Sequence, residues 1–271
     1  MKDLRKTTFI IPLKIEHPDR YRNAKTVLGY LNYNFNTNVI LYEISDTGKT
    51  KVDFLNDLTN LNIKHILDKD TGIFHRTRYL NLMLSKVKTP VVVNYDVDVI
   101  LTADNYLECQ DDILNKKYDI IYPYEFGMGQ IKVLSTFDYG LFSKDGKYDI
   151  NLIGHSNSNI CHSEYGHCIF FNTEIYKKYG GENENFISYG PEDRERGERF
   201  KNFRMNITWK KGFKVYHFEH SRGSDSSSDN PFFKKNNDLY NSLSNLHQEF
   251  PQKYREYYIN PEYSKSYNLG E

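Results

Sequence analysis

The apolar residues in the first half of the chain change their spacing repeatedly, from strand-like runs to a helix-like period. Runs typical of strands occupy residues 7–13, 38–44, 63–67, 90–95 and 118–124, and helix-like spacing occupies residues 19–32, 51–62, 75–87 and 105–117. Regular alternation of strands and helices predicts a mostly parallel sheet with helices on both faces. We therefore predict an α/β fold that binds its ligands at the carboxyl ends of the strands.

The second half of the chain is less regular. Residues 166–181 predict a strand followed by a helix that ends at Gly180 and Gly181, and residues 190–203 predict another helix. Residues 213–218 predict a further short strand. The segment that follows, residues 221–231, is rich in Gly, Ser and Asp and has almost nothing to bury, so we expect a mobile loop there.

Composition narrows the classes of function that are open to the chain. Its 271 residues include 36 basic and 36 acidic ones, so there is no basic excess of the kind that favours nucleic acid. No stretch approaches the roughly 20 apolar residues of a membrane span, and the N-terminus lacks a signal-peptide pattern. These features, with three cysteines, predict a cytoplasmic protein without a disulfide framework or transmembrane segment. Peripheral association with the inner face of a membrane stays open.

Two carboxylates end the apolar run VVVNYDVDVIL, residues 91–101. Unpaired charge away from water is costly, so we expect Asp96 and Asp98 to bind something at the end of this strand. Hard oxygen ligands of this kind suit Mg²⁺ or Mn²⁺, and such a cation suits a diphosphate. The alternative is a chance Asp-x-Asp pair in an exposed loop.

His217 and His220 follow the last predicted strand and lie three residues apart. They can converge on one metal ion if the chain turns there, and with Asp98 they complete a three-ligand site that leaves room for substrate. On their own they are better explained as solvated loop histidines.

A second group of metal-type ligands comprises Cys161, His162, His167 and Cys168. Zinc binds such side chains, but the members of each pair are adjacent in sequence. Adjacent side chains of a strand point to opposite faces, so we favour structural or pocket-lining roles over a zinc site.

Glu192 and Asp193 lie in the first turn of a predicted helix. The positive end of the helix dipole favours an ionised carboxylate there, and an ionised carboxylate at the edge of a pocket is a candidate general base. The alternative is a pair of ordinary helix-start acids, which are common.

Short motifs then occur in a particular order: FHRTRYLN (74–81), DVD (96–98), YGPED (189–193), HFEHSR (217–222) and NPFFKKN (230–236). They resemble the β-1,4-galactosyltransferase family and its bacterial capsule-type relatives, over about residues 7–237. The resemblance implies the GT-A fold, a Rossmann-like and mostly parallel sheet with helices on both faces. It also implies one domain over residues 1–237, with a nucleotide-binding half at about 1–100 and an acceptor and metal half at about 101–237. A helical or irregular tail would occupy residues 238–271.

The resemblance implies a set of donor-binding residues, namely Pro12, Glu43, Arg76, Arg78, Asp96 and Tyr189. The two arginines would approach the nucleotide, and Glu43 would reach the uracil. Asp96 would contact hydroxyl groups of the ribose or the sugar. Tyr189 stands where the family has a tryptophan that packs on sugars.

The resemblance likewise implies that Asp98, His217 and His220 bind Mn²⁺ or Mg²⁺. Asp193 would be the catalytic base, and Glu192 would bind a hydroxyl of the acceptor or donor. The segment 218–231 matches a flexible family loop that closes over the donor. The animal members have methionine at the position of His217.

Together these features predict an inverting, metal-dependent glycosyltransferase. It would move a sugar, with galactose or N-acetylgalactosamine favoured, from a UDP-sugar to a glycan acceptor. The acceptor would be a growing surface polysaccharide of the capsule type, and a lipid-linked form of it stays open. The alternatives are a metal-dependent hydrolase of nucleotide-diphosphate sugars and a non-catalytic glycan-binding module on the same fold.

Overall fold

The structure, a computed structural model, describes residues 1–259 and has the predicted α/β organisation. Its strands are β1 (Lys2–Lys14), β2 (Phe35–Ser45), β3 (Leu61–Lys69), β4 (Val91–Tyr95), β5 (Val99–Ile100), β6 (Ile120–Tyr122), β7 (Gly127–Val133), β8 (Ser158–Ser163), β9 (Cys168–Asn172), β10 (Ile207–Trp209) and β11 (Val215–Phe218). Its α-helices are α1 (Pro18–Asn34), α2 (Arg76–Leu84), α3 (Ala103–Leu114), α4 (Tyr139–Phe142), α5 (Thr173–Lys178), α6 (Glu192–Asn202), α7 (Phe233–Glu249) and α8 (Pro251–Ile259).

Seven strands form a large sheet in the order β10-β6-β9-β4-β1-β2-β3. The pairs β4–β1, β1–β2, β2–β3 and β10–β6 are parallel, and only β9 runs antiparallel to its neighbours β4 and β6. The central position of β4 explains its apolar sequence, since Val91, Val92 and Val93 are fully buried. The prediction of a mostly parallel sheet is confirmed.

A smaller sheet of four strands, in the order β5-β11-β7-β8, lies next to the carboxyl end of β4. The two-residue strand β5 begins directly after Asp98 and pairs antiparallel with β11, so that Val99 lies opposite His217. The N–H of Phe218 also donates to the carbonyl of Asp98 at 2.8 Å. This pairing brings two segments more than a hundred residues apart in sequence to one point.

The predicted helix at residues 51–62 is the clearest error of the sequence-based assignment. The segment contains only the 3₁₀ turn Asp53–Asp57, and β3 already begins at Leu61. The backbone before the turn is bound elsewhere, because the N–H of Lys51 donates to the Glu43 carboxylate at 2.6 Å. A segment this short cannot offset the cost of starting a helix without strong tertiary support.

The C-terminal helices α7 and α8 pack on a second apolar cluster, which contains Phe186, Phe203, Leu243, Leu246, Tyr254 and Tyr257. The predicted boundary near residue 237 falls inside α7, and the division into a domain and a tail stays a prediction. Residues 260–271 of the predicted tail lie outside the described residues. Within residues 1–259, no helix is both long and apolar enough to cross a lipid bilayer.

Candidate active site

A cavity of about 330 Å³ opens where β1, β4 and β11 end. Parallel α/β sheets bind their ligands at this edge. The cavity lining includes most of the residues predicted for the site, namely Pro12, Arg76, Asp96, Asp98, Tyr189, Glu192, Asp193, His217 and His220. The fold therefore brings together side chains from five separate segments of the sequence.

Glu43 and Arg78 do not line this cavity. The Glu43 carboxylate is 1 % exposed and is bound within the protein, by the Thr50 hydroxyl at 2.8 Å and by Nε2 of His65 at 2.9 Å. Arg78 is exposed on the outer side of α2. A contact between Glu43 and the donor base would require these internal hydrogen bonds to break, so the structure gives that predicted role no support.

Asp98, His217 and His220 form a group whose ligand atoms all lie within 4.8 Å of one another. Within the part of the chain that the structure describes, it is the one group of three or more His, Cys, Asp or Glu side chains close enough to share a metal ion. Nε2 of His220 lies 3.1 Å from Oδ2 of Asp98, and Nε2 of His217 lies 3.6 Å from Oδ1. The pairing of β5 with β11 positions two of the three ligands.

The three members of this group differ in their affinity for a proton. Burial lowers the pKa of His220, but its hydrogen bond to Asp98 outweighs burial and raises it, so a metal ion would replace a proton there. Burial lowers the pKa of His217 to about 3, so its imidazole is neutral near pH 7. Its buried Nδ1 has no hydrogen-bond partner among residues 1–259. Burial opposes the charge of Asp98, but the hydrogen bond from His220 and the positive charge of Arg20 outweigh it and lower the pKa of this carboxyl well below its usual range. Nδ1 of His220 donates to the Ser221 carbonyl at 2.9 Å, which directs Nε2 towards Asp98. An ionised carboxylate with two imidazoles fits a divalent first-row metal.

Arg76 connects the first carboxylate of the Asp-x-Asp pair with the candidate base. Its guanidinium lies 2.7 Å from Oδ1 of Asp96 and 3.4 Å from Oδ1 of Asp193. The N–H of Asp96 donates to the carbonyl of His167 at 2.9 Å, which fixes the turn after β4. Asp96 therefore faces the arginine, whereas Asp98 faces the histidines.

Asp193 is held ionised by two cations. Arg196, one turn further along α6, donates to Oδ1 of Asp193 at 2.6 Å, and Arg76 approaches from the other side. Burial raises the pKa of Asp193, but the two guanidinium groups more than offset it, so the net shift is downwards. Arg196 is itself fully buried and binds both oxygens of Glu182, at 2.9 and 3.0 Å. The Asp193 side chain is 31% exposed at the cavity. A partly exposed, ionised carboxylate in a cavity is a candidate general base.

No protein-family model matches this chain, and no curated protein matches it. Among solved structures, it is similar to S. aureus TarS 1–349, in complex with UDP-GlcNAc and alone. Both comparisons have a TM-score of 0.54 at 12% sequence identity and cover 93% of this chain, with 70% and 69% of the TarS chains covered. The chain has a GT-A-like glycosyltransferase fold.

The catalytic domain of Drosophila β1,4-galactosyltransferase 7, in complex with xylobiose, also matches. Its TM-score is 0.41 at 14% identity, over 77% of this chain and 66% of that domain. The present chain thus spans just under two thirds of the length of that domain. At such identities the likeness concerns the fold, so the function of the cavity has to be argued from its own residues.

Two arginines that bind carboxylates of the cavity were not predicted as site residues from the sequence. Arg20, in the first turn of α1, donates to Oδ2 of Asp98 at 3.0 Å. Arg20 and Asp98 lie far apart in sequence, so no local pattern indicates this contact. Arg196 lies three residues after Asp193, a spacing at which side chains of a helix meet, so the helical assignment could have revealed it.

His167 lines the cavity, whereas Cys168 is fully buried in β9. This arrangement agrees with the structural and pocket-lining roles rather than with a zinc site. The backbone of His167 has φ of 70°, which is unfavourable for a residue other than glycine, and Nε2 lies 3.2 Å from Oε1 of Gln130. The imidazole of His167 therefore adds bulk and a polar group to the cavity wall.

The loop of residues 219–231 is hydrogen-bonded to the cavity wall. Oδ2 of Asp225 accepts from Nζ of Lys14 at 3.2 Å and from the N–H of Phe74 at 3.2 Å. The Ser188 hydroxyl donates to the Asp225 carbonyl at 3.2 Å. The loop thus has specific contacts despite its polar composition, and its closure over a donor stays a prediction.

Glu192 is the one carboxyl of the cavity whose affinity for a proton is strongly increased. Burial, followed by repulsion from Asp193, raises its pKa to about 8, and its buried Oε2 has no hydrogen-bond partner within the described residues. A protonated carboxyl can donate a hydrogen bond to a sugar hydroxyl, while its ionised neighbour accepts one. The two adjacent acids therefore offer opposite hydrogen-bonding chemistry.

This difference predicts a pH-dependent effect of Glu192→Gln on stability. Below about pH 4.5, the carboxyl is protonated in both the folded and the unfolded chain. Between about pH 4.5 and 8 only the unfolded chain releases the proton, so the wild-type free energy of unfolding falls as the pH rises. Relative to wild type, the free energy of unfolding of Glu192→Gln should therefore rise by at least about 1 kcal/mol between these pH values. This lower bound corresponds to a difference of less than one pKa unit between the folded and the unfolded chain.

Urea unfolding at pH 4.5 and pH 8 would measure this gain. The matched control is Glu174→Gln, at an exposed position in the first turn of α5, which should show no comparable gain. If the free energies of unfolding of wild type and Glu192→Gln change in parallel with pH, Glu192 is ionised in the folded protein and the prediction is wrong.

Proposed function

We propose that this chain is an inverting, metal-dependent glycosyltransferase that uses a UDP-sugar as donor and a glycan hydroxyl as acceptor. The observation that carries this proposal is the joint placement, in one cavity, of ionised Asp193 and the group Asp98, His217 and His220. The GT-A-like fold supports it, and so does the UDP-GlcNAc bound by the similar TarS chain.

In this mechanism Asp193 accepts the proton of the acceptor hydroxyl. The acceptor oxygen forms a bond to the anomeric carbon of the donor, the bond from that carbon to the diphosphate oxygen breaks, and UDP leaves with the bonding electrons. Attack opposite the leaving group inverts the anomeric centre. Arg196 and Arg76 keep Asp193 ionised and oriented, and protonated Glu192 is available to donate to a hydroxyl.

Asp98, His217 and His220 would hold Mn²⁺ or Mg²⁺. The metal ion, when bound, neutralises negative charge on the departing diphosphate. Further positive charge in the cavity wall comes from Lys14, Arg20 and Arg222. Arg76 lies between Asp96 and Asp193, between the donor and acceptor sides of this arrangement.

Two comparisons bear on the donor sugar. The family resemblance favours galactose or N-acetylgalactosamine, whereas the TarS complex contains UDP-GlcNAc. Tyr189 stacks on Phe233 with ring centroids 5.9 Å apart, and with Pro12 it lines the cavity as a surface for a sugar or a base. We propose a surface polysaccharide as acceptor, made at the cytoplasmic face of the membrane.

A hydrolase of nucleotide-diphosphate sugars is the strongest rival, because the same metal ligands and carboxylate would serve it. Incubation of the protein with a UDP-sugar and Mn²⁺, with and without a panel of sugar acceptors, separates the two functions. A transferase releases UDP faster with the correct acceptor and forms an inverted glycoside. A hydrolase releases free sugar at the same rate in both cases, and a glycan-binding module releases no UDP.

The identity of the third ligand predicts the choice of metal. A thioether at position 217, as in the animal enzymes that the motifs resemble, matches Mg²⁺ poorly, and imidazole is the harder ligand. We expect the wild type to be most active with Mn²⁺ and clearly active with Mg²⁺. His217→Met should reduce the Mg²⁺-dependent rate by a larger factor than the Mn²⁺-dependent rate.

Titration of the transfer rate with each metal, for wild type and His217→Met, checks this expectation. His162→Met is the matched control, because the His162 side chain is 63% exposed and lies outside the ligand group. Equal losses with both metals would mean that His217 does not determine the metal preference.

A further inference from the structure

Arg20 occupies part of the coordination space that a metal ion would need. Its Nη1 donates to Oδ2 of Asp98 at 3.0 Å, and Nε2 of His220 lies 3.1 Å from the same oxygen. The guanidinium therefore uses an oxygen of the one carboxylate in the ligand group. A divalent cation placed there would lie next to the permanently charged guanidinium, and the two positive charges would repel each other at close range.

Arg20 is also free to move away from Asp98. Within residues 1–259 its side chain makes no hydrogen bond other than the one to Asp98, and it is 23% exposed at the cavity. An arginine with unused donors is well suited to bind a phosphate, because its planar fork matches two phosphate oxygens.

The other cations of the cavity differ from Arg20 in their partners. Lys14 is bound to Glu16 at 3.0 Å and to Asp225 at 3.2 Å, and Arg76 is bound to Asp96 and Asp193. Arg222 donates to a carbonyl, that of Ser226, at 3.5 Å. None of these acids belongs to the metal-ligand group. Arg20 is thus the cavity cation whose carboxylate partner is the metal-binding one.

We propose that Arg20 is a positioning residue that couples metal binding to nucleotide binding. Its guanidinium holds Asp98 in the metal-free protein and moves to the donor phosphates when metal and nucleotide bind together. The proposal rests on the function proposed above for the metal and the diphosphate. It predicts that Arg20 weakens metal binding in the absence of nucleotide and strengthens nucleotide binding in the presence of metal.

The test is a Mn²⁺ titration of the full chain, followed by calorimetry or by the electron paramagnetic resonance of free Mn²⁺, with and without saturating UDP. Without UDP, Arg20→Gln should bind Mn²⁺ about fivefold to tenfold more tightly than wild type, in the usual range of coupling between sites. UDP should raise the Mn²⁺ affinity of wild type, and this enhancement should be about tenfold smaller in Arg20→Gln.

Two further variants serve as controls. Lys25→Gln removes the same charge from an exposed position of α1 and should leave both Mn²⁺ affinities at wild-type values. Arg20→Lys keeps the charge but loses the planar fork, so its Mn²⁺ affinity without UDP should stay close to wild type while the enhancement by UDP decreases. Arg20→Lys also tests the proposal if Arg20→Gln does not fold.

Specific outcomes overturn the proposal. If the wild type and Arg20→Gln bind Mn²⁺ equally well without UDP, or show the same enhancement by UDP, Arg20 does not couple the two sites. That result leaves the proposed metal-dependent function intact. If the wild type binds no Mn²⁺ with or without UDP, the metal-dependent function and the inference both fail.

Discussion

Replacing Asp193 with Asn should reduce the rate of sugar transfer by about 10²–10⁴-fold, the usual cost of removing a general base. The amide cannot accept the proton of the acceptor hydroxyl. UDP-sugar affinity should stay nearly unchanged, because in the proposed mechanism the strand ends and the metal ligands, rather than α6, would hold the nucleotide. Transfer is measured as acceptor-dependent UDP release, and affinity by calorimetry.

Asp238→Asn makes the same change at an exposed position of α7 and should leave the rate of transfer unaltered. Turnover at the wild-type rate in Asp193→Asn would exclude Asp193 as the base. A large loss of UDP-sugar affinity in the same variant would instead place Asp193 on the donor side of the cavity.

Replacing Arg196 with Met should destabilise the protein by about 3–5 kcal/mol, because removal of one partner of a buried ion pair leaves the other charge uncompensated. Arg196 and Glu182 are both almost completely buried, and Arg196 contacts both oxygens of the Glu182 carboxylate. Nothing else with a positive charge hydrogen-bonds Glu182 within the described residues. Urea unfolding would measure the loss.

The matched control is Arg194→Met on the same helix. Arg194 is 60% exposed and pairs with Glu198 at 3.0 Å, so its replacement should cost only about 0.5 kcal/mol. Combining Arg196→Met with Glu182→Gln should restore part of the lost free energy of unfolding, since the buried charge is then removed as well. A cost for Arg196→Met no larger than that for Arg194→Met would contradict the account of a buried ion pair.

The sheet could be predicted because its signal is local. A run such as Val91–Tyr95 is apolar on every side chain but Asn94, and it lies between two other strands. The error at residues 51–62 arose where the local pattern resembled a helix but the backbone N–H of Lys51 is bound by the Glu43 carboxylate at the end of β2. The predicted role of Glu43 stays a prediction, since a position at the end of a strand does not reveal where the side chain points, and here the carboxylate binds Thr50 and His65.

The convergence of Asp98, His217 and His220 was predictable because each member lies in, or directly after, a strand that ends at the same edge of the sheets. Asp98 follows β4 and precedes β5, and His217 lies in β11, which pairs with β5. Arg20 was not predictable from local pattern. Its role depends on the packing of α1 beside the end of β4, and a single arginine in a helix is more often a solvated surface residue.

The central claim is that the cavity binds a UDP-sugar through a metal ion held by Asp98, His217 and His220. Calorimetric titration of the full chain with UDP-galactose, UDP-N-acetylgalactosamine and UDP-GlcNAc, with and without Mn²⁺, tests it most directly. We predict that at least one of these donors binds in the presence of Mn²⁺, and that its affinity falls sharply without the metal and in Asp98→Asn. Absence of binding by every donor with Mn²⁺ present, or equal affinity with and without it, would contradict the account.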